Sequence, residues 1–220
     1  MNADKTKLCI FDLDGTLTNT LETIAHFANT ALEKFGYNSI EPNIYKTFIG
    51  NGSRELIAQA VSFVNASEPN FEAVHTHYKC IYNADFLYKT TVYDGIFELI
   101  NSLKKLKIKL AILSNKPHDT TVAVAEAMFG KNIFDIIIGG GNGPLKPAPD
   151  SLFEILAKAN TMKSECIYIG DSTVDMQTGK NAGVFTVGVL WGFEERSKLA
   201  KQEPNAMIEQ PTELLKFLNK

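Results

Sequence analysis

KLCIFDLDGTLTNT, residues 7–20, is the stretch on which the reading of this chain turns. Its first half, KLCIFD, is a short unbroken apolar run, the signature of a strand buried on both faces in a parallel sheet. The run ends on Asp12, and Asp14 follows two residues later. In an extended chain, positions i and i+2 point to the same side, so the two carboxylates face one small volume. Such a pair is costly unless a cation offsets it. Gly15 permits a sharp turn, and Thr16 adds a hydroxyl. An Asx turn after a strand would use the same D-G step, so this segment alone leaves its chemistry open.

Outward from this segment, similar apolar runs recur at 109–114 (KLAILS), 134–138 (FDIII), 166–170 (CIYIG) and 185–189 (FTVGV). Helical stretches at 95–105, 119–129, 150–160, 172–182 and 211–219 separate or follow them. The alternation predicts an α/β fold with a Rossmann-like parallel sheet. The region from 17 to 88 reads differently. Leu21, Ile24, Ala28, Leu32 and Phe35 fall on one helical face that Gly36 ends. A second helix follows the GNG at 50–52, with Ser53 as its N-cap, and a third covers about 70–86. No convincing strand interrupts them. The expected organisation is a catalytic core from 1–17 and 90–220, with an all-helical insert at 18–89.

Composition narrows the classes. A chain of 220 residues that is 45% hydrophobic can bury a core without disulfides. A net charge of −3 advertises no basic field for nucleic acid. The three cysteines, Cys9, Cys80 and Cys166, form no CxxC pair, and two lie in strand-like runs. They read as buried thiols in a reducing compartment. No apolar signal core precedes the first acids, and no run approaches a membrane span. A cytoplasmic protein is expected.

Three more segments carry chemistry-bearing residues at predicted strand ends. LSNKP (113–117) places Ser114 and Asn115 where they can donate to an oxyanion, although S-N-K-P is also an ordinary turn. LKPAPD (145–150) brackets Lys146 between Pro147 and Pro149, which stiffen the backbone that aims the ammonium. YIGDSTVDMQTGKNAG (168–183) sets Asp171 and Asp175 four apart across a helix start, so one face can carry both. Asp171 as a plain N-cap is the competing reading. Together, acids, hydroxyl, amide and lysine fall at the carboxyl edge of the sheet, where open α/β sheets bind ligands. Three carboxylates, waters and a phosphate oxygen suit Mg²⁺, a hard octahedral ion.

With these four motifs in order from residue 7 to about 217, the chain resembles the haloacid dehalogenase-like superfamily of phosphohydrolases. DLDGTLTNT is similar to its first motif, LSNKP to its second, LKPAPD to its third and GDSTVD to its fourth. The insert at 18–89 resembles the family's small α-helical cap. The resemblance implies that Asp12 attacks phosphorus and carries the phosphate as an aspartyl-phosphate, while Asp14 serves as general acid and then base. It implies Mg²⁺ held by the Asp12 side chain, the Asp14 main-chain carbonyl and Asp171, with Asp175 in or just behind that shell. Ser114, Asn115 and Lys146 would bind the phosphoryl oxygens, and Thr16 would add its hydroxyl to the substrate site.

Asp14 favours phosphoester chemistry, because dehalogenases and phosphonatases lack an acid there and transport ATPases carry Thr. IGNGSREL (49–56), LSNKP and GG…KPAPD point to the phosphoglycolate phosphatase-like subgroup. β-Phosphoglucomutases share the cap type and a GxSR stretch, and pyrophosphatases of the same group are a further alternative. The expected partner is a small phosphorylated metabolite, bound by a monomer or homodimer without nucleic acid or membrane. Arg54, at a helix start in the cap, is a candidate receptor for an anionic leaving group, and Lys116 a helper from the core side.

Three other features are read as structural. GGGNGP (139–144) lacks dinucleotide-loop spacing and is expected to be a flexible loop delivering Lys146. His75 and His77, two apart on a helix, point to different sides. Trp191 is expected to pack at a domain edge.

Overall fold

The computed structural model describes residues 6–64, 70–141 and 143–218. The opening apolar run forms β1 (Leu8–Phe11). Two short strands follow, β2 (Thr18–Asn19) and β3 (Thr91–Val92), which pair antiparallel. Between them lie α1 (Leu21–Lys34), a 3₁₀ segment at Pro42–Thr47, α2 (Gly52–Phe63) and α3 (Phe71–Ala84). Beyond β3 the chain alternates: α4 (Ile96–Lys105), β4 (Lys109–Pro117), α5 (His118–Phe129), β5 (Ile136–Gly140), α6 (Asp150–Ala159), β6 (Cys166–Gly170), α7 (Thr173–Ala182) and β7 (Phe185–Val189). It ends with α8 (Arg196–Ala200), β8 (Ala206–Ile208) and a 3₁₀ segment at Pro211–Phe217.

Six parallel strands form one sheet in the order β5-β4-β1-β6-β7-β8. The chain builds outward from β1 through β4 to β5, then crosses back to β6 and builds the other way. Strand order therefore reverses beside β1, and the carboxyl ends of β4, β1 and β6 open the crevice where such sheets bind ligands. All four β1 residues are buried, on alternating faces. Leu8 and Ile10 pack with Leu152 and Ile155 of α6, whereas Cys9 and Phe11 pack with Ile96 and Leu99 of α4 and Val124 of α5. Two covered faces explain the absence of polar alternation in the strand.

The α1–α3 helices bury a core of their own. Leu21, Ile24, Ala28 and Leu32 meet Leu56 and Ile57 of α2 and Val74, Tyr78 and Tyr82 of α3. The face read from the sequence is the buried one. No helix among the described residues is long and apolar enough to cross a membrane.

Several expectations are corrected. β5 begins two residues later than 134–138, because Asp135 stands in for a ladder residue: its carboxylate accepts from Leu110 N at 2.8 Å, and its own N donates to Leu110 O at 2.8 Å. The strand then runs on into Gly139 and Gly140 rather than a loop. A Cβ at Gly140 would come within 2.7 Å of Asn115 O, so close strand approach demands glycine there. Asn142 of that segment lies outside the described residues. Ser53 is not the α2 cap. Asn51 holds that position without a side-chain cap bond, and the Ser53 hydroxyl lies 3.1 Å from His75 Nε2. The expected helix at 211–219 is a 3₁₀ segment, Pro211–Phe217, with residue 219 outside the described residues. β2, β3 and β8 escaped the sequence reading because two or three residues show no period.

Candidate active site

Asp12 follows β1 directly. Its N–H donates to Ile169 O at 2.9 Å, so the backbone stays in the sheet and the side chain emerges at its carboxyl edge. Lys146 Nζ sits 2.9 Å from Asp12 Oδ1 and 2.7 Å from Asp175 Oδ1. Asp171 follows β6 and is held from two sides: Thr16 Oγ1 donates to Oδ1 at 3.0 Å, and Phe193 N donates to Oδ2 at 2.8 Å. Gly15 has φ +89°, and a Cβ on it would meet Asp171 Oδ2 at 2.2 Å. The turn after Asp14 therefore needs glycine twice over, for conformation and for space.

Asp175 is fully buried and satisfied. Oδ1 accepts from Lys146 Nζ and from the Tyr168 hydroxyl at 2.6 Å, while Oδ2 accepts from Ser172 N at 3.1 Å and Ser172 Oγ at 2.5 Å. Ser172 caps α7 and Asp175 completes a capping box. Four accepted hydrogen bonds use the capacity of a carboxylate.

Oxygens of Asp12, Asp171 and Asp175 lie within 4.8 Å of one another, the one such cluster of possible metal ligands among the described residues. One ammonium pairs with two of these three buried acids. Burial, then the Asp175 charge, pushes Asp12 up to about 7 despite Lys146. Burial, then Asp12 and Asp175, holds Asp171 well above the carboxylate range. Burial would raise Asp175 as well, but Lys146 and its hydrogen bonds hold it down. Such a cluster asks for a further cation, and its donors are hard oxygens. The residues present fit Mg²⁺. Asp171 keeps acceptor capacity on each oxygen after its two bonds, whereas Asp175 has none to spare, which suits Asp171 to direct ligation and Asp175 to support.

The second motif is built by an irregularity. β4 pairs with β5 at Leu113↔Ile138 and next at Pro117↔Gly140, so four steps on β4 match two on β5. The bulge turns out three successive polar side chains, all buried. Ser114 lines the cavity described below. Lys116 Nζ binds both oxygens of Asp14, at 2.9 and 2.7 Å, and Thr20 Oγ1 donates to Asp14 Oδ1 at 2.9 Å. Asn115 departs from its expected role. Its Nδ2 donates to Gly50 O at 2.9 Å and Lys146 O at 3.0 Å, and its Oδ1 accepts from Lys146 N at 2.8 Å. Both donors go to backbone, so Asn115 ties the α2 approach to the lysine loop instead of offering N–H to a phosphoryl group.

Two more expectations change. Thr16 is completely buried and donates to Asp171, so it positions a carboxylate rather than lining the cavity. Arg54 is not brought to the site. It pairs with Glu72, its guanidinium lies 4.7 Å from the Phe71 ring centroid, and its side chain is 64% exposed. Ser53 and Leu56, three apart, face the cavity, and Arg54 is rotated one residue off that face. Trp191 does more than pack: Nε1 donates to Thr16 O at 3.0 Å. His75 stacks on Phe71, and His77 lies near Lys34 Nζ at 3.4 Å, on different sides as read.

A cavity of about 170 Å³ lies between this edge and α1–α3. Asp12, Asp14, Ser114, Lys116 and Lys146 line the sheet side, and Ile24, Ile49, Leu56, Tyr78 and Tyr82 the helical side. Tyr168, Ser172 and Tyr82 were missed in the sequence. Tyr168 lies inside a strand run and Tyr82 inside a helical stretch, and only the general need of a buried phenol for a partner marks them.

The family model described as haloacid dehalogenase-like hydrolase matches residues 9–189. A phosphoglycolate phosphatase from Pasteurella multocida (strain Pm70) is 27% identical over 219 residues, covering 96% of this chain and 98% of that protein. One from Pseudomonas syringae pv. tomato is 29% identical over 213 residues, covering 95% of this chain and 78% of that protein. The crystal structure of a predicted phosphoglycolate phosphatase from Haemophilus somnus 129PT superposes with a TM-score of 0.90 at 26% identity, covering 96% and 97% of the two chains.

Proposed function

The chain belongs to the haloacid dehalogenase-like hydrolase family, and from that premise we propose that it hydrolyses small phosphomonoesters, in the manner of a phosphoglycolate phosphatase, with Asp12 as the nucleophile. One observation carries the reading. Asp12 follows the central strand and lines the cavity between the sheet edge and the helices, 2.9 Å from the Lys146 ammonium, with Asp14 lining the same cavity two residues on.

In this reading an Asp12 oxygen attacks phosphorus as the bond to the alcohol oxygen breaks, and Asp14 delivers a proton to that departing oxygen. The product is an aspartyl-phosphate on Asp12. Asp14 then takes a proton from the water that attacks this phosphate, which returns Asp12 to its starting state. Lys116 and Thr20 hold Asp14 in place. Lys146 offsets charge on the phosphoryl oxygens, with Ser114 at the same wall. Asp12, Asp171 and the Asp14 main-chain carbonyl would hold Mg²⁺, with Asp175 anchoring Lys146 behind them; the ion would supply charge neutralisation at the phosphoryl group. Residues 18–89 act as the cap that reads the leaving group and excludes water.

The test is release of inorganic phosphate from a panel of phosphomonoesters with Mg²⁺ and with excess chelator. Magnesium-dependent release, together with a hydroxylamine-sensitive acyl phosphate on Asp12, supports the reading. Activity that survives both excess chelator and Asp12→Asn refutes it.

A further inference from the structure

The segment after β7, residues 191–194, takes no part in the reaction drawn above, yet it touches both acid-bearing motifs. Trp191 Nε1 donates to Thr16 O at 3.0 Å, and Phe193 N donates to Asp171 Oδ2 at 2.8 Å. Glu194 Oε2 accepts from Thr173 N at 2.5 Å, at the start of α7. Gly192 presses on Asp171 as closely as Gly15 does, since a Cβ on either would come within 2.2 Å of an Asp171 atom. The Asp171 carboxylate is therefore held between two turns, one from the first motif and one from this segment.

The Phe193 side chain goes the other way. It packs against the hydrophobic cluster of α1–α3, and among the described residues it is the one member of that cluster from outside 18–89. Trp191, two residues earlier, packs instead against the core cluster that holds Phe11 and Ile169. Phe193 thus has its amide on a carboxylate of the acid cluster and its ring in the cap. The two ends of one residue do not move independently, so a shift of α1–α3 against the sheet drags the ring and the amide with it. Hydrogen bonds weaken steeply with misalignment, and a donor that orients a ligating carboxylate is worth about ten- to a hundredfold in metal affinity. The other donor to Asp171, Thr16, is completely buried in the turn after β1 and has no such reach into the cap.

We propose that Phe193 is a positioning residue that couples the seating of α1–α3 over the cavity to the orientation of Asp171 as a Mg²⁺ ligand. This rests on the Mg²⁺ site of the phosphatase reading above and adds a link between that site and the cap. The coupling runs both ways: whatever factor the seated cap adds to Mg²⁺ affinity, bound Mg²⁺ adds to the seating of the cap.

Phe193→Ala keeps the amide and removes the ring. Calorimetric titration of the metal-free protein with Mg²⁺ should give a dissociation constant raised about tenfold. Phe193→Leu, which keeps an apolar anchor, should recover most of that loss. Hydrogen exchange of the α1–α3 amides should slow with Mg²⁺ in the wild-type protein and respond less in Phe193→Ala. A lowered melting temperature with unchanged Mg²⁺ affinity would mean that the ring serves packing alone, and it overturns the assignment. So does wild-type exchange in α1–α3 that ignores bound Mg²⁺, a result that requires no variant to fold. Either outcome leaves the phosphatase reading standing. Wild-type protein that takes up no Mg²⁺ and releases phosphate in excess chelator overturns the metal site and this coupling with it.

Discussion

Asp12 and Asp14 are two residues apart and live under opposite electrostatics. Asp12 shares the Lys146 ammonium with Asp175 and faces Asp171, whereas Asp14 has the Lys116 ammonium to itself. Neutralising Asp12 therefore relieves repulsion, and Asp12→Asn should melt at or above the wild-type temperature in metal-free buffer while phosphate release falls by several orders of magnitude. A calorimetric scan paired with a phosphate assay checks both halves. Asp14→Asn should behave in the reverse way on stability. It leaves Lys116, with a side chain only 7% exposed, without a counter-charge, which costs about 3–5 kcal/mol and lowers the melting temperature by roughly 10 °C. Its activity loss should be larger for alkyl than for aryl phosphates, since good leaving groups need little proton donation. An unchanged melting temperature would break the account of the Asp14–Lys116 pair. Both acids were legible in the sequence because strand periodicity alone puts them on one side. Their different partners were not, because those come from β4 and from the lysine loop, far along the chain.

Elements build the site with their ends. The β4 bulge presents Ser114, Asn115 and Lys116 in sequence, and the first turn of α7 presents Asp175 through a capping box with Ser172. Ser172→Ala should cost about 1 kcal/mol through the lost cap. It should also lower kcat, because Asp175 loses a bond from the carboxylate that anchors Lys146. A drop in melting temperature with kcat intact would separate the cap from catalysis. The turn between β1 and β2 is equally exacting. Gly15→Ala combines φ +89° with a Cβ 2.2 Å from Asp171 Oδ2, so Asp171 must move away. The expected result is a folded protein whose melting temperature no longer rises with Mg²⁺, read by differential scanning fluorimetry across a Mg²⁺ titration. Helices, by contrast, reveal their faces in sequence but not their rotation against a neighbour. That is why the buried stripe of α1 was readable while Arg54 was assigned to the wrong side of α2.

At the scale of the whole molecule, three clustered buried acids with one lysine paired to two of them would make a bound cation a stabilising ligand. Mg²⁺ at a hundred times its dissociation constant should raise stability by about 2.7 kcal/mol. Asp171→Asn should abolish that gain along with activity, and Ca²⁺ should inhibit, because its looser coordination misplaces the attack. Undiminished turnover in excess chelator would contradict this. The α/β class, the central strand, the helical insertion after it and the acids at strand ends were all determined by the sequence itself, because each follows from a period or a strand terminus within a few residues. Tertiary structure alone decided which polar groups meet. Asn115 spends its amide on Gly50 and Lys146, Thr16 turns to Asp171, and Lys116 closes on both oxygens of Asp14. Hydrogen bonds hold only over about 3 Å, so these choices depend on how distant segments pack, and local sequence carries no record of that distance.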